Sequence, residues 1–203
     1  MSIMDILKKP DLIVGVVSDT HIPDRVIGLH PDLIPGLVQA KVNIILHAGD
    51  ISSQKTLETL TDVALVEAVK GNRDFLTLRN LPAMKEMTLA GIDVFLTHGH
   101  GNFLHYIWDK WIYILKDYQF ERYRKFLSSL APRAKVIIFG HTHKPENIVV
   151  GDTLFFNPGS AGPNYDQSQP SYGILRFYTD GEIRGEICYL KNLQVANHKW
   201  VSE

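Results

Sequence analysis

The residues best equipped for chemistry in this chain gather in short polar segments. Asp19 and His21 stand in Asp-Thr-His, Asp50 in Gly-Asp, Asn72 in Gly-Asn-Arg-Asp, His98 and His100 in His-Gly-His, and His141 and His143 in Gly-His-Thr-His, with Asn157-Pro-Gly-Ser160 as a further polar turn. Asp, His and Asn suit borderline divalent ions, and the set holds no soft thiolate of the kind copper favours. Two such ions about 3.5–4 Å apart can turn water into a strong nucleophile and neutralise phosphoryl charge, which is what cleaving a phosphate ester near neutral pH requires. A metal pair needs a carboxylate between its members. Asp50 suits that place, because both its oxygens can be shared and Gly49 permits a close backbone approach. Asp19 and His21 lie two apart, so an extended backbone would turn both toward one ion.

Each ligand segment follows an apolar run. Leu12 to Ser18 leads to Asp19, Asn43 to His47 to Asp50, Val63 to Val69 to Asn72, Ile92 to Thr97 to His98, and Lys135 to Phe139 to His141. These read as buried strands ending in polar loops. Asp32 to Ala40 and Ser53 to Thr61 have helical character, with Ser52 or Ser53 as a cap. The layout is α/β, and ligands in such sheets collect beyond the carboxyl ends of the strands. After residue 143 the runs Ile148 to Val150, Thr153 to Phe156, Tyr172 to Tyr178 and Glu182 to Tyr189 predict antiparallel hairpins. Asn102 to Leu130 is strongly aromatic. Leu104, Ile107, Trp108, Trp111, Leu115 and Tyr118 form one helical stripe, and Tyr106, Tyr113 and Phe120 a second face. This predicts a long helix wedged between the sheet and a neighbouring segment, with a homo-oligomer contact or a lid over the site as the sharper alternative.

Composition narrows the function classes. With 203 residues, 45% of them hydrophobic and 21% charged, one core is expected, and hence a single domain over residues 1–203 with an aromatic helical segment at about 102–130. A net charge of -1 gives no global attraction to nucleic acid, although Lys110, Arg122, Arg124 and Lys125 could line a local basic groove. No apolar run approaches the ~20 residues that span a bilayer, so no membrane segment is expected. A lone Cys188 and no signal-like start predict a cytoplasmic protein, with Cys188 as a small buried hydrophobe. His47, inside its strand, reads as a hydrogen-bonded core histidine, and His30, His105 and His198 as surface or packing residues.

The ordered motifs Asp19-x-His21, Gly49-Asp50, Gly71-Asn72-x-Asp74, His98-Gly-His100 and Gly140-His-x-His143 resemble those of the calcineurin-like metallophosphoesterase superfamily. More narrowly, they are similar to its small single-domain bacterial and archaeal phosphodiesterases, which share a fold with a retromer subunit. The resemblance runs from about Val14 to Ser160, and Asn157-Pro-Gly-Ser160 is similar to a late motif of the family. It implies a four-layer α/β/β/α sandwich of two stacked mixed sheets flanked by helices, with the site at one edge. It further implies that Asp19, His21, Asp50 and His143 hold one metal and Asp50, Asn72, His98 and His141 the other. The ions would be manganese, nickel, iron or zinc, manganese first among them. The implied reaction is in-line attack of hydroxide on a small or nucleotide-like phosphate ester, with Asp50, Asn72, Arg73 and His100 at the reacting centre.

One departure bears on mechanism. Many members carry a histidine after the asparagine of the third motif, where it protonates the leaving group, and this chain has Arg73. A guanidinium is no general acid near neutrality, but its fork of donors can hold a phosphate oxygen. The expectation is a preference for good leaving groups or a metal-assisted departure. Asp74 is expected to support the site, His100 to touch substrate or stand idle, and the Asn157 turn to pack beneath. Two other functions fit the fold: a protein-binding scaffold, as the retromer subunit is, and a metal-dependent nuclease. A scaffold, however, has no need of a full ligand set.

Overall fold

The structure is a computed structural model that describes residues 8–101, 119–164 and 168–202. Its first strands are β1 (Leu12–Val17), β2 (Ile44–His47) and β3 (Leu65–Ala68), separated by helices α1 (Leu33–Gln39) and α2 (Gln54–Thr61). Then come β4 (Met84–Leu89), β5 (Ile92–Thr97), helix α3 (Phe120–Leu130), β6 (Val136–Ile138), β7 (Glu146–Val150) and β8 (Thr153–Asn157). The chain closes with β9 (Ser171–Phe177), β10 (Ile183–Tyr189), β11 (Gln194–Ala196) and β12 (Lys199–Val201).

Two five-stranded mixed sheets result, ordered β10-β9-β1-β2-β3 and β4-β5-β6-β8-β7, beside a small β11-β12 hairpin. In the first sheet β1, β2 and β3 are parallel. In the second β5, β6 and β8 are parallel. The period-2 alternation of a strand sorts its side chains into layers. Val14, Val16, Ile44 and Leu46 of the first sheet meet Val94, Leu96, Val136, Ile138 and Phe156 of the second in the central core. Alternate residues Val17 and Ile45 face the other way, onto Leu33 and Leu37 of α1. Phe95, Ile137 and Phe155 likewise face outward onto Leu127 of α3. The expected four-layer α/β/β/α sandwich is the fold observed, and burial on both faces explains why these strands read as continuous apolar runs.

Some local readings change. Ser53 sits at the N-cap of α2, yet its hydroxyl makes no capping bond. Neither does Ser52 cap the helix: its hydroxyl donates to Asp24 Oδ2 at 3.0 Å. Only the end of the aromatic segment is described, as α3, where Phe120 packs edge-on against Phe155. The stripe from Leu104 to Tyr118, together with Tyr106 and Tyr113, lies outside the described residues, as does Lys110. Among the basic residues beside it, Arg124 is held by Glu121 on its own helix. No described helix is long and apolar enough to cross a membrane. Two elements escaped the sequence reading, β4 and the β11-β12 hairpin. The hairpin is fastened to the loop after the first ligand segment: Trp200 Nε1 donates to the Gly28 carbonyl at 3.0 Å, and the Ile27 amide donates to the His198 carbonyl at 2.8 Å.

Candidate metal centre

Parallel pairing puts the carboxyl ends of β1, β2 and β3 on one edge, and those of β5 and β6 on the matching edge of the second sheet. The polar loops that leave these ends cross the gap between the sheets. The His141 amide donates to Asp19 Oδ2 at 3.1 Å, and His98 Nε2 lies 3.4 Å from Asp50 Oδ1. Asp19, His21, Asp50 and His98 are all almost completely buried.

Among the described residues two groups of donor atoms converge, each with its members within 4.8 Å of one another: Asp19 with His21 and His143, and Asp19 with Asp50 and His98. Asp50 turns one oxygen to each side, Oδ2 at 3.9 Å from His21 Nδ1 and Oδ1 at 3.4 Å from His98 Nε2. Asn72 Oδ1 stands 3.2 Å from His98 Nε2. The His141 ring lies 5.1 Å from that of His98, centre to centre. His100 flanks both, its ring 5.3 Å from that of His98 and 6.1 Å from that of His141. Arg73 reaches the cluster through its backbone, whose N–H donates to Asp50 Oδ1 at 2.8 Å, while its side chain faces solvent.

The sequence reading joined Asp19 and His21 through an extended backbone, and the structure does not. Asp19, His21, Asp50, His141 and His143 all adopt the left-handed conformation, with φ of 54°, 51°, 53°, 69° and 56°. Residues with a Cβ occupy that region at a cost of about 1–2 kcal/mol each, and such outliers gather at functional sites. The loops after β1, β2 and β6 therefore bring their candidate ligands together by turning sharply at those residues themselves. Gly49, at φ 95°, has no room for a Cβ, which would lie 2.7 Å from His98 Nδ1. That is the close approach expected before Asp50.

Anchors outside the cluster fix which nitrogen points inward. His98 Nδ1 lies 2.7 Å from the Ala48 carbonyl, so it carries the proton and leaves Nε2 as the donor atom facing Asp50. His143 Nδ1 is 2.8 Å from Asn164 Oδ1, which turns its Nε2 toward Asp19 in the same way. Ser18 donates to Asp19 Oδ2 at 2.6 Å. Asp74, fully buried, accepts from the amides of Ile51, Ser52 and Gly71 and so ties the Asp50 loop to the Asn72 loop. Asn157 donates to the Gly140 carbonyl and to Thr142 Oγ1 beneath His141, and Ser160 donates to the Asp19 carbonyl. Both supporting expectations hold. Those from Ser18 and Asn164 were not anticipated. Ser18 adjoins a candidate ligand, but nothing local marks Asn164. His47 is the core histidine foreseen, accepting from the Gly49 amide and facing Thr20 Oγ1. His30 is a packing residue edge-on to Trp200, His198 is exposed, and His105 lies outside the described residues.

The electrostatics call for a cation. Among the described residues, buried Asp19 Oδ1 has no close donor but the His143 ring, and His21 Nδ1 makes no hydrogen bond. The Nε2 atoms of His21 and His143 face each other at 3.3 Å, with Asp19 Oδ1 3.2 Å from the latter. Positive charge must sit among these lone pairs, as a proton or a metal ion. Burial pushes His21 down to about 3 and His141 well below its usual range, so both are neutral and able to ligate. Burial, with His98 beside it, lowers His100 to about 4. Burial also raises Asp50, to about 6. Burial would raise Asp19 too, but His143, His98 and His21 together hold it well below the ordinary carboxylate range. Burial would lower His143 as well, but Asp19 beside it holds the ring above its usual range. Two buried carboxylates beside the neutral rings of His21 and His141 form a nest of oxygen and nitrogen donors, which fits borderline divalent ions.

Residues 12–180 match the calcineurin-like phosphoesterase superfamily domain. A probable metallophosphoesterase of Methanothermobacter thermautotrophicus is 35% identical over 172 residues, covering 84% of this chain and 88% of the relative. Among solved structures, a Vps29 of Entamoeba histolytica complexed with zinc superposes with a TM-score of 0.66 at 24% identity, over 88% of this chain and 99% of that one. An archaeal phosphodiesterase superposes with a TM-score of 0.57 at 22% identity, over 87% of this chain and 100% of that one. With the loops that carry the candidate ligands lying inside the matched region, the chain belongs to the calcineurin-like phosphoesterase superfamily.

Proposed function

We propose that this chain is a dinuclear metal-dependent phosphodiesterase acting on a small or nucleotide-like phosphate ester. The observation that carries the reading is the buried convergence of Asp19, His21 and His143 with Asp50 and His98, with Asp50 turning one oxygen to each side. Asp19, His21, Asp50 and His143 would hold one ion, and Asp50, Asn72, His98 and His141 the other, with manganese favoured. When bound, such ions lower the pKa of water into the neutral range and neutralise charge on the phosphoryl oxygens.

The chain's own residues orient the rest. The Ala48 carbonyl and Asn164 hold His98 and His143 in the tautomers that present Nε2. The Arg73 side chain is exposed beside the cluster, and its charge is felt at His21, so it can hold a phosphoryl oxygen of the substrate. His100, largely neutral at pH 7, faces the second group and can accept or donate a hydrogen bond to substrate. Departure of the alcohol falls to the leaving group itself, because Arg73 stands where an acid would otherwise act. The complete donor set favours catalysis over the scaffold role, and the archaeal phosphodiesterase neighbour supports diester cleavage.

The test strips the full chain with chelator, titrates it with manganese, and follows bound metal together with hydrolysis of bis(p-nitrophenyl) phosphate. Two equivalents bound, with turnover rising as the second enters, is the expected result. Full activity at one equivalent would overturn the dinuclear assignment. A folded protein inactive with manganese, nickel, iron and zinc would overturn the enzyme.

A further inference from the structure

Beyond the metal ligands, the third motif runs into two large apolar side chains in solvent. Phe75 is 70% exposed and Leu76 69% exposed, more than any other large hydrophobic residue among those described. A lone exposed apolar residue is unremarked in proteins, whereas an adjacent pair held rigidly beside a site is a candidate contact. This pair is held rigidly. Before it, Asp74 is buried and accepts three backbone amides. After it, the Leu78 amide donates to the Asp74 carbonyl at 2.9 Å, and the Leu78 side chain packs with Ile51, Leu57 and Ala68. The turn thus presents Phe75 and Leu76 outward at its crest without freedom to bury them.

The crest is close to the reacting centre. The Arg73 amide lies 2.8 Å from Asp50 Oδ1. Two residues on, the Phe75 Cα is within about 12 Å of that oxygen, from backbone bond lengths and Cα steps of about 3.8 Å alone. One ester arm plus one side chain covers such a distance. The same turn displays the exposed Arg73 two residues before Phe75, so it offers a guanidinium for an anionic oxygen and an aromatic face for a flat group beside it.

We infer that Phe75 and Leu76 form an apolar subsite for the organic arm of the ester, selecting substrates in which a flat aromatic or heterocyclic group is joined to the phosphate. The inference rests on the phosphoesterase reading and names the substrate class of that site. Neither residue touches the reacting atoms. Both act on specificity.

The test uses calorimetry and competitive inhibition on the manganese-loaded full chain, with phenylphosphonate, methylphosphonate and adenosine 5′-monophosphate as probes. The expected result is phenylphosphonate binding about tenfold more tightly than methylphosphonate. A Phe75→Ala, Leu76→Ala double variant should lose that preference while binding methylphosphonate as before, and Phe75→Tyr should restore most of it. A matching loss for adenosine 5′-monophosphate would extend the class to nucleotides, and its absence would confine the class to plain aryl esters. An equal loss for phenyl and methyl probes overturns the proposal, as damage to the Asn72 turn. No preference in the parent also overturns it while leaving a phosphoesterase that binds both. A shift in oligomeric state on gel filtration without change in the phenyl preference overturns it in favour of a contact between copies of this chain. Failure of the parent to bind any probe or turn over any ester is a different result, which removes the phosphoesterase reading and this subsite together.

Discussion

Replacing Asp50 by asparagine should stabilise the metal-free protein and destabilise the metal-loaded one relative to the parent. Burial raises the Asp50 carboxyl from the usual 3.8 to about 6. Its folded pKa thus lies above its unfolded one, so the group's contribution to stability is fully present below about pH 3.8 and is lost as pH rises through about 6. At about 1.4 kcal/mol per pH unit, the gap amounts to about 3 kcal/mol at neutral pH. Asp50→Asn keeps an oxygen for the Arg73 amide and removes the buried charge. In chelator at pH 7.5 the variant should melt higher by about 6–12 °C for a chain of this length, and the difference should vanish toward pH 4. Manganese should then reverse the order. Each ion at a hundredfold excess over its Kd adds about 2.7 kcal/mol to the parent, and the variant lacks the shared carboxylate. Thermal unfolding followed by circular dichroism, with chelator and with manganese, measures both arms. A variant that melts below the parent in chelator at pH 7.5 would refute the reasoning, as would a gap that does not close at low pH.

Two further substitutions separate the substrate contact from the scaffold. Arg73→Ala should leave thermal stability within about 0.5 kcal/mol, since only an exposed side chain goes, while weakening inhibition by inorganic phosphate about tenfold; unchanged inhibition and turnover would dismiss the phosphate contact. Asp74→Ala should cost about 3–5 kcal/mol by orphaning the three buried amides that donate to its carboxyl, and should release manganese as the Asp50 loop loosens; Asp74→Asn, which keeps an acceptor, should lose distinctly less in denaturant melts.

The layers were legible because β1, β2, β5 and β6 are buried on both faces and so spell unbroken apolar runs. β4 was not, because Met84-Lys-Glu-Met-Thr-Leu89 is an edge strand that alternates exposed with half-buried residues and carries a charge on each face, Lys85 on the half-buried one and Glu86 on the exposed one. The β11-β12 hairpin hid for a different reason. Its turn takes both left-handed residues from Asn197 and His198, at φ 50° and 58°, without the glycine that usually announces such a turn. The ligand types were readable from spacing, yet the partners that aim them were not. The Ala48 carbonyl that orients His98 is 50 residues away, and Asn164 is 21 from His143. Only folding brings these together.

The glycines in the motifs carry more of the site than their neighbours' chemistry suggested. Three of them, Gly49, Gly71 and Gly140, leave a space that a polar group from another segment fills. A Cβ on Gly71 would fall 2.1 Å from Asp50 Oδ1, one on Gly49 would fall 2.7 Å from His98 Nδ1, and one on Gly140 would fall 2.0 Å from Ser18 Oγ and 2.9 Å from Asp19 Oδ2. The third motif's glycine therefore admits the second motif's ligand, the second's admits the fourth's, and the last motif's admits the first's. Gly-Asp, Gly-Asn and Gly-His are not ligands that happen to follow flexible residues. They are two-residue units in which one position offers a donor atom and the other yields room for a donor from elsewhere. Left-handed turns at Asp19, Asp50, His141 and His143 then bend the loops after β1, β2 and β6 back before they can run past the cluster. This interlock explains how Asp19, His21, Asp50, His98 and His143, from four loops on two sheets, can converge within a few ångströms.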